Sequence, residues 1–148
     1  MNNITVSIVR STTPEYEAVW QLREEILRKP LGMSLRNENL SMDAEDDIFV
    51  AKDGDKVIGC LMLHHVDGDT IKFRQMAVYN EWQGKQIGRL LMETAEAYAA
   101  GKGYKTISLH ARKVVSGFYT ALGYHTVGDE FFEVNIPHLL MKKHIANA

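Results

Sequence analysis

The sequence predicts one α/β (α+β) domain, a mixed and mostly antiparallel sheet with helices on both faces. Three observations carry that expectation. Two Asp-Gly pairs, Asp53-Gly54 and Asp67-Gly68, stand between apolar runs and join three successive strands as hairpins. Beyond them the hydrophobic period lengthens: Ile87, Leu90, Leu91, Thr94, Ala95 and Tyr98 fall on one helical face. A further strand, a short helix and more strand follow, with no internal repeat or linker. The 148 residues, 45% hydrophobic and 24% charged, form an ordinary globular composition that fits one domain over 1–148.

The elements follow in order. Ile4, Val6 and Ile8 alternate with polar residues as in a half-buried strand. Thr13-Pro14-Glu15 reads as a helix start, with a hydroxyl cap and proline in the first turn. Tyr16, Val19, Trp20, Arg23, Ile26 and Leu27 share one face of that helix, and Pro30 and Gly32 end it. Residues 33–47 are polar and acidic, with one helical turn expected at 41–45. Strands are expected at 47–52, 56–66 and 70–78. The helix from Ile87 should end at Gly101 or Gly103, and a strand should occupy 106–111. A helix over 114–122 is closed by Gly123, and the last two strands are expected at 125–134 and 139–143.

Composition excludes several classes. Seventeen basic and nineteen acidic side chains give a net charge of −2, which disfavours nucleic acid as the main ligand. Cys60 is alone, so no internal disulfide forms. Without HExxH or CxxC, and with scattered histidines, no metal is suggested. Apolar runs such as 57–63 contain Gly and stop well short of the ~18 residues of a membrane span. The start, Met1-Asn2-Asn3-Ile4-Thr5, lacks a basic region followed by an apolar stretch. A cytoplasmic protein with no membrane partner is the expectation.

The most informative stretch runs from Gln75 to Leu91. A strand enters a turn containing Gly84, Lys85, Gly88 and Arg89, and the turn opens a helix. The first amides of a helix lack partners and sit at the positive end of its dipole. Glycines let a ligand approach the backbone, and the two cations complete an anion site of pyrophosphate size. The alternative is a plain strand-to-helix turn whose glycines serve packing. A Walker loop needs GxxxxGK[ST], which is absent. A dinucleotide fingerprint needs parallel strands, whereas these pair through hairpins.

Met76-Ala77-Val78 with Gln83-Gly84-Lys85-Gln86-Ile87-Gly88-Arg89 resembles the acetyl-CoA motif of the GNAT superfamily of N-acetyltransferases, with Gln86 where the middle glycine is expected. Leu109-His110-Ala111-Arg112 and Gly117-Phe118-Tyr119-Thr120-Ala121-Leu122-Gly123-Tyr124 resemble its second CoA motif. The order of elements is similar over nearly the whole chain. The stretches 22–32 and 133–141 resemble a bacterial branch of that superfamily. The resemblance implies a sheet splayed into a V-shaped cleft, with Gln75–Val78 diverging from Ser108–Ala111. It also implies acetyl-CoA held by Met76 to Val78 and Gln83 to Arg89, and a small-molecule primary amine that attacks the thioester directly. A homodimer is compatible with it.

Direct attack sets its own demands. An alkylammonium of pKa about 10.4 is neutral in about one part in 2,500 at pH 7, a penalty of roughly 4.6 kcal/mol. A base or an acidic pocket offsets it. The oxyanion needs a donor, which the resemblance assigns to a backbone amide at Met76–Val78. The resemblance makes Tyr119 the acid for the leaving thiolate; without it, Tyr119 reads as a core aromatic. The base is open among His110, His138 and Glu133, which otherwise read as a sheet residue, a turn residue and a solvated edge charge. Glu133, His138 and Arg23 are also candidate substrate contacts, and Arg23 or Arg28 could bind an acidic group or simply pair with Glu24 or Glu25. His64-His65 reads as structural. Two alternatives stay open: an acyl-CoA sensor without catalysis, and a protein N-terminal acetyltransferase.

Overall fold

The structure, a computed structural model, describes residues 3–145. Met1 and Asn2, part of the N-terminal reading above, lie outside the described residues. The chain runs β1 (Ile4–Val9), α1 (Glu15–Arg23), β2 (Asp47–Asp53), β3 (Lys56–His65), β4 (Thr70–Val78), α2 (Ile87–Gly101), β5 (Thr106–Arg112), α3 (Ser116–Ala121), β6 (His125–Thr126), β7 (Phe131–Glu133) and β8 (Ile136–His144). One sheet holds the strands in the order β1-β2-β3-β4-β5-β8-β6, with β7 also pairing β8. Among the described residues the one parallel pair is β4 with β5. The mixed, mostly antiparallel sheet is as expected.

Two apolar layers cover the sheet. α2 buries Ile87, Leu91, Ala95 and Ala99, spaced by four, against Leu61, Leu63, Ile71, Phe73, Ile107 and Leu109. On the other face α1 buries Val19 and Leu22 against Ile48, Val50, Cys60 and Met62. Each fully buried Leu, Ile or Phe contributes roughly 1.5–3 kcal/mol. Gly59 makes the α2 contact possible, because a Cβ there would stand 3.1 Å from Ile87 and 3.2 Å from Leu91.

Several local expectations are corrected. Ile8 is 45% exposed, and Val9 turns inward instead, onto the α1 layer. Thr13 does not cap α1: its hydroxyl donates to the Arg10 carbonyl, and Pro14 stands at the cap. The helix widens into a π turn over Glu24–Arg28 before Gly32 ends it in a left-handed conformation. The strand expected at 125–134 is broken into β6 and β7 around Gly128, whose φ is +77°. The last strand begins earlier than expected, at Ile136. Ser41–Glu45 forms the expected turn, as a 3-10 helix.

A bulge in β4 shapes the site. Cys60 pairs with Ala77 and Met62 with Arg74, so Leu61 faces two residues, Gln75 and Met76. Gln75 takes a φ of +56°. The extra residue reverses the alternation: Ile71 and Phe73 face the α2 layer before the bulge, and Met76 and Val78 face it afterwards.

Candidate active site

Pairing between β4 and β5 runs from Thr70–Thr106 to Phe73–Leu109 and stops. Past that point Gln75 and Met76 on one side, and His110, Ala111 and Arg112 on the other, line a cleft of about 560 Å³. The edge of β4 that would have met β5 is left without a strand. The strands containing Gln75–Val78 and Ser108–Ala111 thus diverge as expected, from the end of the Phe73–Leu109 pair onward, and the parting frees backbone amides beside the space.

The turn into α2 lies at one end. Gln83 lines the cleft and braces the turn, donating from Nε2 to the Val78 carbonyl at 3.0 Å. Gly84 has φ +77° and Gln86 φ +69°. Gln86 thus occupies the left-handed position where glycine is easiest, a mild backbone strain. No side chain caps the first amides of α2, so the helix start remains available to an anion. Lys85 and Arg89 are exposed, with Lys85 Nζ 5.3 Å from the Trp82 ring centre and Arg89 loosely paired to Glu93. Ile87 and Ala77 bury their side chains in the two cores and can meet a ligand only through backbone. Uncapped amides, glycines and exposed cations fit a pyrophosphate.

Gly88 faces Phe118 and Met76; a Cβ there would stand 3.5 Å and 3.8 Å from them, ordinary contact distances. Gly88→Ala should therefore be accommodated. Gly88→Leu should fill the space between α2 and α3 and weaken acetyl-CoA binding at least tenfold by calorimetry. Equal affinity in both variants would make the turn merely structural.

Tyr119 comes from α3 and lines the cleft. Its ring packs edge-on against Phe118 and Tyr124. Its hydroxyl makes no hydrogen bond among the described residues. Burial pushes the phenol up to about 12, so it stays protonated through the neutral range. The single cysteine, Cys60, is fully buried, and burial pushes its thiol up to about 12 as well. That leaves it a packing residue rather than a nucleophile.

His110, Glu133 and His138 converge on the opposite wall. Glu133 Oε2 lies 3.3 Å from His110 Nδ1 and 3.8 Å from His138 Nε2. The hydrogen bond from His110 outweighs burial and holds the Glu133 carboxyl below its usual range, with electrostatic help from neighbouring His110, His138 and Lys72. His138 is buried, and its Nδ1 must carry the proton, since it bonds the Ile136 carbonyl at 2.8 Å. His110 also packs edge-on against Phe131. The hairpin that presents Glu133 turns through Val134 (φ +47°) and Asn135 (φ +62°). Val134 lines the cleft, and a β-branched residue in that conformation is strained.

Arg23 requires a correction. It is 0% exposed and does not line the cleft. Nη1 donates to Asp43 at 2.8 Å and Nε to Gln75 at 3.3 Å. With Nε and Nη1 engaged below the surface, it supports the bulge from beneath rather than lining the cleft. The cations that do line the cleft are Arg28, Lys72, Arg74 and Arg112. The sequence reading considered Arg28 but gave no role to Lys72, Arg74 or Arg112. The period-two spacing of Arg112 from His110 was the available signal. His64 and His65 are structural as expected, paired with Asp46 and Asp47.

Comparison with known proteins agrees with this architecture. The family model for the acetyltransferase (GNAT) domain matches residues 44–126, and the chain belongs to the GNAT acetyltransferase family. An uncharacterised N-acetyltransferase of Chlorobaculum tepidum is 34% identical over 90 residues, 61% of this chain and 57% of that protein. The protein YyaT of Bacillus subtilis is 32% identical over 79 residues, 53% of each chain. The chain thus spans only a little over half the length of these curated relatives. Among solved structures, an acyl-CoA N-acyltransferase from Pseudomonas aeruginosa shares the fold at TM-score 0.82 and 18% identity, over 95% of this chain and 99% of that one. A GNAT acetyltransferase from Elizabethkingia anophelis with acetyl-CoA bound does so at TM-score 0.72 and 19% identity, over 97% and 99%. No helix among the described residues is long and apolar enough to cross a membrane.

Proposed function

We propose that residues 1–148 act as one acetyltransferase domain that moves an acetyl group from acetyl-CoA to the primary amine of a small molecule by direct attack. The observation that carries the reading is the parting of β4 from β5 after Phe73–Leu109, with an uncapped helix start on one side and a His–Glu–His group on the other. Relatives named as N-acetyltransferases, and a neighbour of the same fold holding acetyl-CoA, support the choice of acetyl donor.

The donor supplies an acetyl thioester. The amides and cations from Gly84 to Arg89 hold its phosphates, with Met76, Ala77, Val78 and Gln83 lining the path inward. The free edge of β4 at Met76–Val78 donates to the charge that develops on the thioester oxygen. His110, oriented by Glu133, takes a proton from the acceptor amine through its other ring nitrogen. Glu133 also favours an ammonium arriving at the site. As the C–N bond forms, the C–S bond breaks and its electron pair leaves on sulfur. Tyr119 donates a hydrogen bond to that sulfur; of the two protons the arriving ammonium sheds, one passes through His110 to the thiolate and the other leaves to solvent.

The test is thiol release from acetyl-CoA with and without a panel of primary amines. Release that depends on amine, with mass spectrometry finding the acetylated amine, is expected. Tight acetyl-CoA binding with no transfer to any amine would favour an acyl-CoA sensor instead.

A further inference from the structure

Resting on the reading of this cleft as an acetyl-transfer site, we propose that the acceptor is an amine that also bears a carboxylate, and that Arg112 holds the carboxylate. Leu109 and Ala111 point into the α2 core, so His110 and Arg112, alternating with them, face the α1 side of the sheet. This is the face opposite the helix start that suits the CoA phosphates. Four Lys or Arg side chains line the cleft against two carboxylates, Glu38 and Glu133.

Two of the four cations are already neutralised. Glu38 takes both Nε and Nη2 of Arg28, at 2.6 Å and 3.2 Å. Arg74 lies on Asp43 and Asp46. Lys72 and Arg112 have no carboxylate within ion-pair distance among the described residues. Lys72 sits deeper, in the paired part of the strand opposite Ser108. Arg112 ends β5, half-buried, and its one side-chain hydrogen bond among the described residues runs from Nη2 to the Leu27 carbonyl at 3.3 Å. Most of its five donors face the cleft or solvent.

That is an unfavourable place for a lone guanidinium. Burial first, and then the charge of Arg28, lower Arg112 below its usual range. A carboxylate bound by its planar fork relieves both effects and gains two charge-assisted hydrogen bonds. The opposite polarity lies two residues back along β5. There Glu133 stands against His110, about 6.7 Å away by strand rise. A negative group at the amine end and a free guanidinium beyond it match a small zwitterion, with its ammonium toward Glu133 and His110 and its carboxylate on Arg112.

The experiment compares amino acids with their own carboxamides by acetyl-CoA-dependent thiol release, alongside calorimetry of acetyl-CoA. The carboxamide is the more readily deprotonated amine, so chemistry alone favours it and the comparison is biased against the proposal. The expected result is at least a tenfold higher kcat/KM for the carboxylate member, lying mainly in KM. Arg112→Gln should bring that ratio close to one while leaving acetyl-CoA affinity unchanged. The wild-type ratio needs no variant, so a poorly folding Arg112→Gln does not rescue the idea. Carboxamides used as well as amino acids, a ratio that survives Arg112→Gln, or no amino acid acetylated while acetyl-CoA binds would each overturn it. Failure of acetyl-CoA to bind would instead overturn the transfer reading, and this inference with it.

Discussion

Tyr119→Phe is expected to lower turnover by about 10- to 10²-fold, what a hydrogen bond to a charged group contributes, with acetyl-CoA affinity and thermal stability unchanged. Stability is spared because the hydroxyl makes no hydrogen bond among the described residues, while the ring keeps its contacts with Phe118 and Tyr124. The role also becomes narrower than that of a plain acid. A phenol raised to about 12 is a poor proton source for a thiolate whose conjugate acid lies near 8.5. Complete transfer would be uphill by roughly 5 kcal/mol. A hydrogen bond to the developing sulfur charge is favourable without that transfer, and such bonds to charged groups are worth about 1.5–3 kcal/mol. The loss should therefore appear in kcat more than in KM, and no basic limb from Tyr119 should enter the pH profile below about pH 10. Single-turnover rates within twofold of wild type would make Tyr119 a packing residue.

The glycine turn into α2 was legible because its signal is local. Gly84, Lys85, Gly88 and Arg89 fall within six residues, and the start of α2 follows from the change of period at Ile87. The hairpins were legible for the same reason, from Asp53-Gly54 and Asp67-Gly68. Arg23 was misread because its helical face is apolar and its partner is remote. Asp43 lies 20 residues on, in a segment with no period, and nothing in the spacing of α1 says that a 3-10 turn folds back to bury the pair. The bulge at Gln75 was equally silent, since a residue with positive φ that is neither Gly nor Asn leaves no mark in composition. The parting of the strands entered through family resemblance, and the pairing register then located it at Phe73–Leu109. Arg112 went unassigned because its meaning depends on which cleft cations already have partners, a question that only three-dimensional neighbours answer.

Asp43→Ala should destabilise the fold by about 3–5 kcal/mol, the usual consequence of leaving a buried charge without its partner. Arg23 and Asp43 are almost wholly shielded from solvent, with side chains 1% and 2% exposed. Asp43 also accepts from Tyr16 and from Arg74. The two ends of the pair are therefore unequal. Arg23→Met removes one of three donors and leaves Asp43 with Tyr16 and Arg74, so it should cost less. Asp43→Ala strands Arg23 with Gln75 alone and should cost more. Combining the two should cost less than the sum of the single losses, because the double variant leaves no buried charge unpaired between them. Urea unfolding at several pH values checks the order and the sign. Burial raises the Asp43 carboxyl, but the hydrogen bonds from Tyr16 and Arg23 and the charges of Arg23 and Arg74 outweigh it, so the net shift is downward. A depressed carboxyl contributes stability that is present above its unfolded value and lost as pH falls through its folded value. The gap between wild type and Asp43→Ala should thus be constant from neutral pH down to the ordinary carboxylate range and close below it. A gap under 1 kcal/mol at pH 7 would mean that Arg23 finds another anion or water. Because Arg23 also donates to Gln75 on the cleft wall, Asp43→Ala should loosen the bulge, and kcat should fall even at temperatures where the variant is fully folded.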